Sequence, residues 1–160
     1  MQITTMGLVL RTVRVGEADQ ILTILSPDKG LISASARGSL RLKNKLFSGC
    51  GLFCYSEFTL TTGRKSSFVD AATVVRVFHG LSKTVEGMAL AAYLAEMAAA
   101  LAPEPPESAD FLRLMLNTFY MIGEQKRPLL QLKAICELRA MTQTGYMPDV
   151  VACDGCGRYD

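Results

Sequence analysis

The sequence predicts an α+β protein, in which a small closed five-stranded β-barrel is followed by an all-α helical domain. Three observations support this fold class. Short runs of branched and alternating apolar residues fill the first half, the apolar spacing becomes helical from Leu81 onward, and proline and glycine divide the second half. The 160 residues are 49% hydrophobic and 20% charged, which provides a buried core and excludes disorder as the main description.

Five strands are expected within residues 1–79. They are predicted at residues 6–15, 20–25, 31–37, 52–61 and 67–77. In the third of these, Ile32, Ala34 and Ala36 alternate with polar neighbours, as in a strand with one buried face and one wet face. The segment 26–30 places proline and glycine at hairpin spacing. Five short strands in about 75 residues favour a small closed barrel over an open sheet.

Three helices are expected within residues 80–160. The first covers 81–101 and ends at Pro103, because proline lacks the backbone donor and its ring clashes with the preceding turn. The second begins near Ser108 or Asp110 and ends at Gly123, and the third covers about 128–144. Their predicted shared core consists of Leu90, Leu94, Met97, Phe111, Leu114, Phe119, Leu132, Ile135 and Leu138.

Charge is distributed unevenly along the chain. Residues 1–80 contain ten Lys and Arg against five Asp and Glu, whereas residues 81–160 contain seven against ten. A basic first half suggests a polyanionic partner, and an acidic second half suggests a different role. The longest nearly apolar stretch, residues 88–102, is too short to span a bilayer, and no secretory signal is visible. We therefore expect a cytoplasmic protein without a membrane partner.

A basic loop follows the third predicted strand. The interval between Lys29 and Glu57 has no acidic residue and holds four closely spaced cations, Arg37, Arg41, Lys43 and Lys45. Such cations can neutralise consecutive phosphates of a nucleic acid, and Arg64 and Lys65 in the last hairpin could extend the same field. In barrels of the OB type the adjoining strands form the usual oligonucleotide groove. Candidate stacking aromatics are Phe47, Phe53, Tyr55 and Phe58, although most aromatics of a barrel pack inward.

The pair Cys153 and Cys156 has the spacing and following glycine of a zinc knuckle. A structural zinc site needs four ligands, and no second pair with matching spacing is present. Three explanations are open: a second pair beyond Asp160, ligands from a second molecule, or a redox pair. Five cysteines without an export signal argue against a disulfide framework.

Catalytic motifs are absent from the sequence. No glycine-rich phosphate loop, nucleophile elbow or paired metal-binding histidines occur, and the lone His79 has no nucleophile pattern beside it. We therefore expect a protein that is not an enzyme. Two hypotheses remain, a DNA-binding module and a protein–protein adaptor whose basic loop meets an acidic partner.

Three segments together resemble the RecO family of bacterial DNA recombination and repair mediators. They are GLVLRTVRVGEADQILTILSPDKGLISASARGSLRLKNKL at 7–46, LAAYLAEM at 90–97 and GYMPDVVACDGCG at 145–157. The resemblance implies an N-terminal OB-fold and a helical domain with a four-cysteine zinc site, of which Cys153 and Cys156 match the first pair. It further implies binding of single- and double-stranded DNA, strand annealing, and recombinase loading with RecR and the single-strand-binding protein SSB. It places Arg37, Arg41, Lys43 and Lys45 in the family's basic loop region.

Overall fold

The computed structural model describes residues 1–63, 66–147 and 155–158. Five strands come first, β1 (Gln2–Val15), β2 (Asp19–Ser26), β3 (Gly30–Ala36), β4 (Cys54–Thr62) and β5 (Ser67–Val77). A short 3-10 helix (His79–Lys83) then leads into α1 (Val85–Leu101), α2 (Ser108–Glu124) and α3 (Leu129–Gln143). The predicted order of elements is confirmed. No helix among the described residues is both long and apolar enough to span a bilayer.

The strands close into a barrel in the order β1-β2-β3-β5-β4. The long strand β1 closes it, because its first half pairs with β4 and its second half with β2. All these pairings are antiparallel except that between β3 and β5, which is parallel and aligns Ala34 with Ser67 and Ser35 with Phe68. The predicted α+β class, an OB-fold barrel followed by helices, is confirmed.

The inside of the barrel is one apolar core. The strands contribute Val9, Leu22, Ile24, Ala34, Ala36, Phe58, Leu60 and Val69, and the segment after β3 contributes Leu46 and Cys50. Alternation explains this selection, since successive side chains of a strand point to opposite faces. Residues 37–53 therefore form a structural part of the barrel as well as a surface loop.

A second core joins the outside of the barrel to the helices. Leu8 and Leu10, which flank the inward-facing Val9 on β1, pack with residues of all three helices. Phe119 of α2 contacts Phe53 and Phe78 edge-on, with ring centroids 5.1 and 5.8 Å away. The two parts of the chain thus share buried surface, and the division at residues 79 and 80 stays a prediction.

The helix boundaries differ in part from the prediction. Residues 81–83 belong to the 3-10 helix rather than to α1. Helix α1 starts after Thr84, whose side chain accepts a hydrogen bond from the Gly87 N–H at 3.0 Å. Helix α2 continues past Gly123 to Glu124 and is capped by Gln125, which has a left-handed φ of 56°. Ser108 opens α2 without capping it, because its hydroxyl instead donates to the Pro27 carbonyl at 2.8 Å.

The predicted helical core is confirmed except for two residues of α3. Seven of its residues are buried or packed against the shared core, including Leu94, Phe111 and Phe119, which have no exposed surface. Ile135 and Leu138 are 48% and 55% exposed, so their assignment to the core is wrong. Helix α3 buries the face that carries Leu132, Cys136 and Ala140, and turns these two residues away from α1 and α2.

Candidate nucleic-acid interface

Consecutive tight turns give the basic loop a defined course. The Arg41 N–H donates to the Gly38 carbonyl at 3.0 Å, the Asn44 N–H to the Arg41 carbonyl at 2.9 Å and the Phe47 N–H to the Asn44 carbonyl at 3.0 Å. Gly38 has a φ of +66°, and a Cβ there would lie 2.7 Å from the Asn44 amide nitrogen. Only glycine suits this corner without strain.

The first end of the loop is attached to the turn between β1 and β2. The Asp19 carboxylate accepts a hydrogen bond from the Gly38 N–H at 2.7 Å, and the Leu40 N–H donates to the Ala18 carbonyl at 3.0 Å. The buried Ser39 hydroxyl also donates to the Ala36 carbonyl at 2.8 Å. Asp19 therefore has a structural partner in the loop backbone rather than a cationic side chain.

The second end of the loop is fixed to the barrel. The Gln20 amide donates to the Cys50 carbonyl and the Ser56 hydroxyl donates to the Gly49 carbonyl, each at 3.0 Å. Gly49 lies so close to β5 that a Cβ would be 2.7 Å from the Ala72 Cβ. With both ends held, the cations between them project from a preorganised backbone.

The structure brings four predicted site residues together on this loop and leaves them accessible. The side chains of Arg37, Arg41, Lys43 and Lys45 are all exposed. The ion pairs within residues 1–63, 66–147 and 155–158 join other residues, so a carboxylate neutralises none of the four in this part of the chain. Arg64 and Lys65 lie outside the described residues. A role of these six residues in DNA binding stays a prediction.

Most of the candidate aromatics belong to the cores. Phe58 is fully buried inside the barrel and Phe53 is 4% exposed in the shared core. Tyr55 packs against the same core, and burial raises the pKa of its hydroxyl. Phe47 is 43% exposed on the basic loop, so only Phe47 of the four presents a large aromatic surface to solvent.

Phe68 is not among the residues that the sequence pattern predicts for the site. This residue starts the outward face of β5, where the Arg37 guanidinium lies over its ring with the central carbon 4.6 Å from the ring centroid. The two residues are 31 positions apart, and they meet because β3 and β5 pair in parallel. Alternation predicts that Phe68 and the buried Val69 face opposite sides, but it does not predict which strand lies beside them.

The predicted zinc pair lies only partly within the described residues. Cys156 is exposed, whereas Cys153 lies outside the described residues. Cys50, Cys54 and Cys136 are buried in the cores, and burial raises the pKa of the Cys50 thiol to about 12. Within the part of the chain that the structure describes, no group of three or more His, Cys, Asp and Glu could hold a metal. Zinc binding through Cys153 and Cys156 therefore stays a prediction.

Comparisons with known proteins agree with this architecture. A family model described as "Recombination protein O N terminal" matches residues 1–78, and one described as "Recombination protein O C terminal" matches residues 83–160. The strand-rich and helical parts thus correspond to two successive family regions.

Similar proteins carry the same family name. The chain is 37% identical over 153 residues to the DNA repair protein RecO of Acetivibrio thermocellus, covering 96% of this chain and 61% of that protein. It is 32% identical over 156 residues to that of Desulforudis audaxviator, covering 98% and 62%. For the protein from Alkaliphilus metalliredigens the identity is 31% over 158 residues, covering 99% and 64%. The chain spans about three fifths of the length of these relatives, and it belongs to the RecO family.

Proposed function

We propose that this chain is the DNA-contacting part of a repair and recombination mediator that acts without catalysis. It binds single- and double-stranded DNA through phosphate contacts, promotes annealing of complementary strands, and with RecR and SSB helps to load recombinase on SSB-coated single strands. The observation that supports the proposal is a row of exposed cations on one fixed loop, which no carboxylate among the described residues neutralises. The relatives of the chain are named DNA repair proteins, which agrees with this interpretation.

The physical basis of the DNA binding is release of counterions. Each Lys or Arg that neutralises a phosphate frees a condensed cation, which favours complex formation at low salt. A loop already fixed at Asp19 and Cys50 loses little conformational entropy when it binds. Because phosphates are the same at every nucleotide, these contacts position the DNA without reading its sequence.

Annealing requires two polyanions to approach each other, and charge neutralisation lowers their repulsion. No bond is made or broken in this process, so the proposal needs no nucleophile or general base. The balance of charge in 81–160, ten acidic against seven basic residues, provides no net attraction for DNA, which is consistent with a role of this part in binding protein partners.

A salt titration with an unstructured single-stranded oligonucleotide tests the proposal. If the loop residues Arg37, Arg41, Lys43 and Lys45 each contact a phosphate, log affinity falls with log salt with a slope near −3, from about four phosphates at roughly −0.7 each. The triple variant R41E/K43E/K45E weakens binding equally for all sequences and slows annealing of two labelled complementary strands.

A matched control carries the same change of charge on the helical part. The variant K126E/R127E/R139E reverses three exposed cations there and leaves the basic loop intact. It retains most of the DNA affinity if the loop is the contact surface. Equal losses of DNA affinity in both triple variants would refute the assignment of binding to the loop. If the unmodified chain does not bind DNA at low salt, the second hypothesis is favoured, a protein–protein adaptor for an acidic partner.

A further inference from the structure

A cleft lies at the junction of the barrel and the helices, away from the basic loop. Its volume is about 240 Å³, and its walls come from the end of β5, the 3-10 helix and the last turns of α2. Gly80 and Gly123 line it where the backbones of the 3-10 helix and α2 approach closely, and neither has a side chain to fill the space. The cleft therefore stays open to solvent between the two elements.

Three side chains that can carry a positive charge line this cleft. They are Arg76 of β5 and His79 and Lys83 of the 3-10 helix. All three residues are exposed, so a ligand from solvent can reach them. Among the residues with a described position, the ion pairs join other side chains, and none of these three takes part in one. Their hydrogen-bond donors are therefore available to an anion.

Local structure directs two of these cations toward α2. Strand β5 has a β-bulge at Val75, immediately before Arg76, where its register with β4 shifts by one residue. Bulges of this kind change the direction of the neighbouring side chains. The Arg76 guanidinium lies over the Tyr120 ring, with its central carbon 5.5 Å from the ring centroid. The Lys83 ammonium donates to the Gly123 carbonyl at 3.3 Å, so both charges are held on the same side of the cleft.

One carboxylate also lines the cleft, and it already has a cationic partner. Glu124 forms an ion pair with Lys126, with the carboxylate oxygen 3.0 Å from the ammonium nitrogen. The hydrogen bond from Lys126, together with the nearby charge of Lys83, holds the pKa of Glu124 below its usual value. Because Lys126 offsets the charge of Glu124, Arg76 and Lys83 leave the cleft with an excess of positive charge.

We propose that this cleft binds one phosphate group through Arg76, His79 and Lys83. A guanidinium presents paired N–H donors that match two oxygens of a phosphate, and an ammonium adds a compact positive charge. An imidazole N–H supplies a third kind of donor. The phosphate can belong to a DNA backbone or to a free phosphate ester, because these three side chains recognise the group that both share.

The phosphate site is separate from the basic loop. Arg37 of that loop lies over Phe68, and Arg76 follows Phe68 by eight residues on β5, about 26 Å away at roughly 3.3 Å per residue. A phosphate in the cleft therefore does not compete with one at Arg37. The site goes beyond the proposed DNA binding and does not depend on it, because inorganic phosphate alone is a sufficient probe. When DNA supplies the phosphate, the chain contacts nucleic acid at two separated positions.

His79 gives the full chain a single imidazole signal, because the sequence contains one histidine. A proton–carbon NMR titration follows its Cε1–H signal while sodium phosphate replaces sodium chloride at constant pH and ionic strength. We expect a saturable shift in the unmodified chain and roughly two- to tenfold weaker phosphate binding in R76Q and in K83Q. The control R139Q removes an exposed cation that lines a different cleft, between α2 and α3, and should leave the phosphate affinity unchanged.

An oligothymidylate in the same titration identifies the source of the phosphate. If a DNA backbone supplies it, the oligothymidylate also shifts the His79 signal in the loop variant R41E/K43E/K45E. If a free phosphate ester supplies it, the oligothymidylate leaves the signal of that variant unchanged while inorganic phosphate still shifts it. A signal that neither probe shifts would overturn the site, as would a shift that R76Q and K83Q do not weaken. Failure of the unmodified chain to bind DNA would instead contradict the proposed function alone.

Discussion

The backbones of the 3-10 helix and α2 approach each other closely at two glycines, Gly80 and Gly123. A Cβ on Gly80 of the 3-10 helix would lie 2.6 Å from the Gly123 Cα and 2.7 Å from its carbonyl oxygen. A Cβ on Gly123 would have its nearest contact at 3.2 Å, with the Gly80 Cα. Because the obstacles are backbone atoms, a side-chain rotation cannot relieve either contact.

The two alanine substitutions should therefore have unequal effects on stability. G80A forces the 3-10 helix away from α2, and overpacking of this kind lowers the free energy of unfolding by about 1–3 kcal/mol. In G123A the nearest atom to the new Cβ, at 3.2 Å, needs to shift only slightly. The substitution also replaces a glycine within α2 by alanine, which favours the helix by about 1 kcal/mol. We expect G123A to remain within about 1 kcal/mol of the unmodified chain.

Urea denaturation followed by far-ultraviolet circular dichroism measures both free energies of unfolding. S82A provides a control in the same segment, since it removes one exposed hydrogen bond, to the His79 carbonyl at 3.0 Å. A larger loss for G123A than for G80A would refute the geometry, as would a loss for G80A no greater than that for S82A.

Three further predictions follow from the cores and from the titratable groups. F119L removes two edge-on aromatic contacts and should lower the free energy of unfolding by about 1–3 kcal/mol, at about 0.5–1.5 each, in the same urea assay; a loss below about 0.5 kcal/mol would contradict it. Burial raises the pKa of Asp28, but hydrogen bonds from Thr5 and Ser26 outweigh it and hold the pKa below the usual 3.8. The native state thus binds fewer protons than the unfolded state, so unfolding experiments should show stability falling as the pH drops below about 4, and less steeply in D28N. Maleimide labelling with mass spectrometry should modify the exposed Cys156 in the native chain and leave Cys50, whose pKa is about 12, unmodified until denaturation.

The strands were predictable wherever alternation marks a buried face. Strand β5 has the predicted bounds, and β2 and β3 differ by one residue at each end. Strand β1 begins at Gln2, four residues before the prediction, because its polar start is held by pairing with β4 rather than by an apolar pattern. Pairing between segments that are distant in sequence leaves no local signal.

The same limit explains the errors in the helical part. Helical periodicity correctly predicts that Ile135 and Leu138, three positions apart, share a face of α3. It carries no information on which faces meet a neighbouring helix, and α3 packs through the face of Cys136 instead. Hydrophobic character alone therefore assigned two exposed residues to the core.

Parts of the candidate site were predictable to different degrees. The cations of the basic loop could be identified from composition, because a stretch without acidic residues is visible in the sequence itself. The stack of Arg37 on Phe68 depends on the parallel pairing of β3 with β5, which alternation does not reveal. The anchoring of the loop by Asp19 likewise depends on which turn lies next to it.

Strand β1 connects the stability of the helical part to the geometry of the basic loop, the proposed DNA-binding surface. Its middle is buried on both sides, with Val9 inside the barrel and Leu8 and Leu10 against the helices. The same strand continues to Val15 and leads into the turn at Ala18 and Asp19 that holds the basic loop, so the helices position this loop through a continuous β-strand. Since a binding surface is defined better when rigid elements support it, we expect that loosening the helical part also weakens the DNA binding proposed for the basic loop.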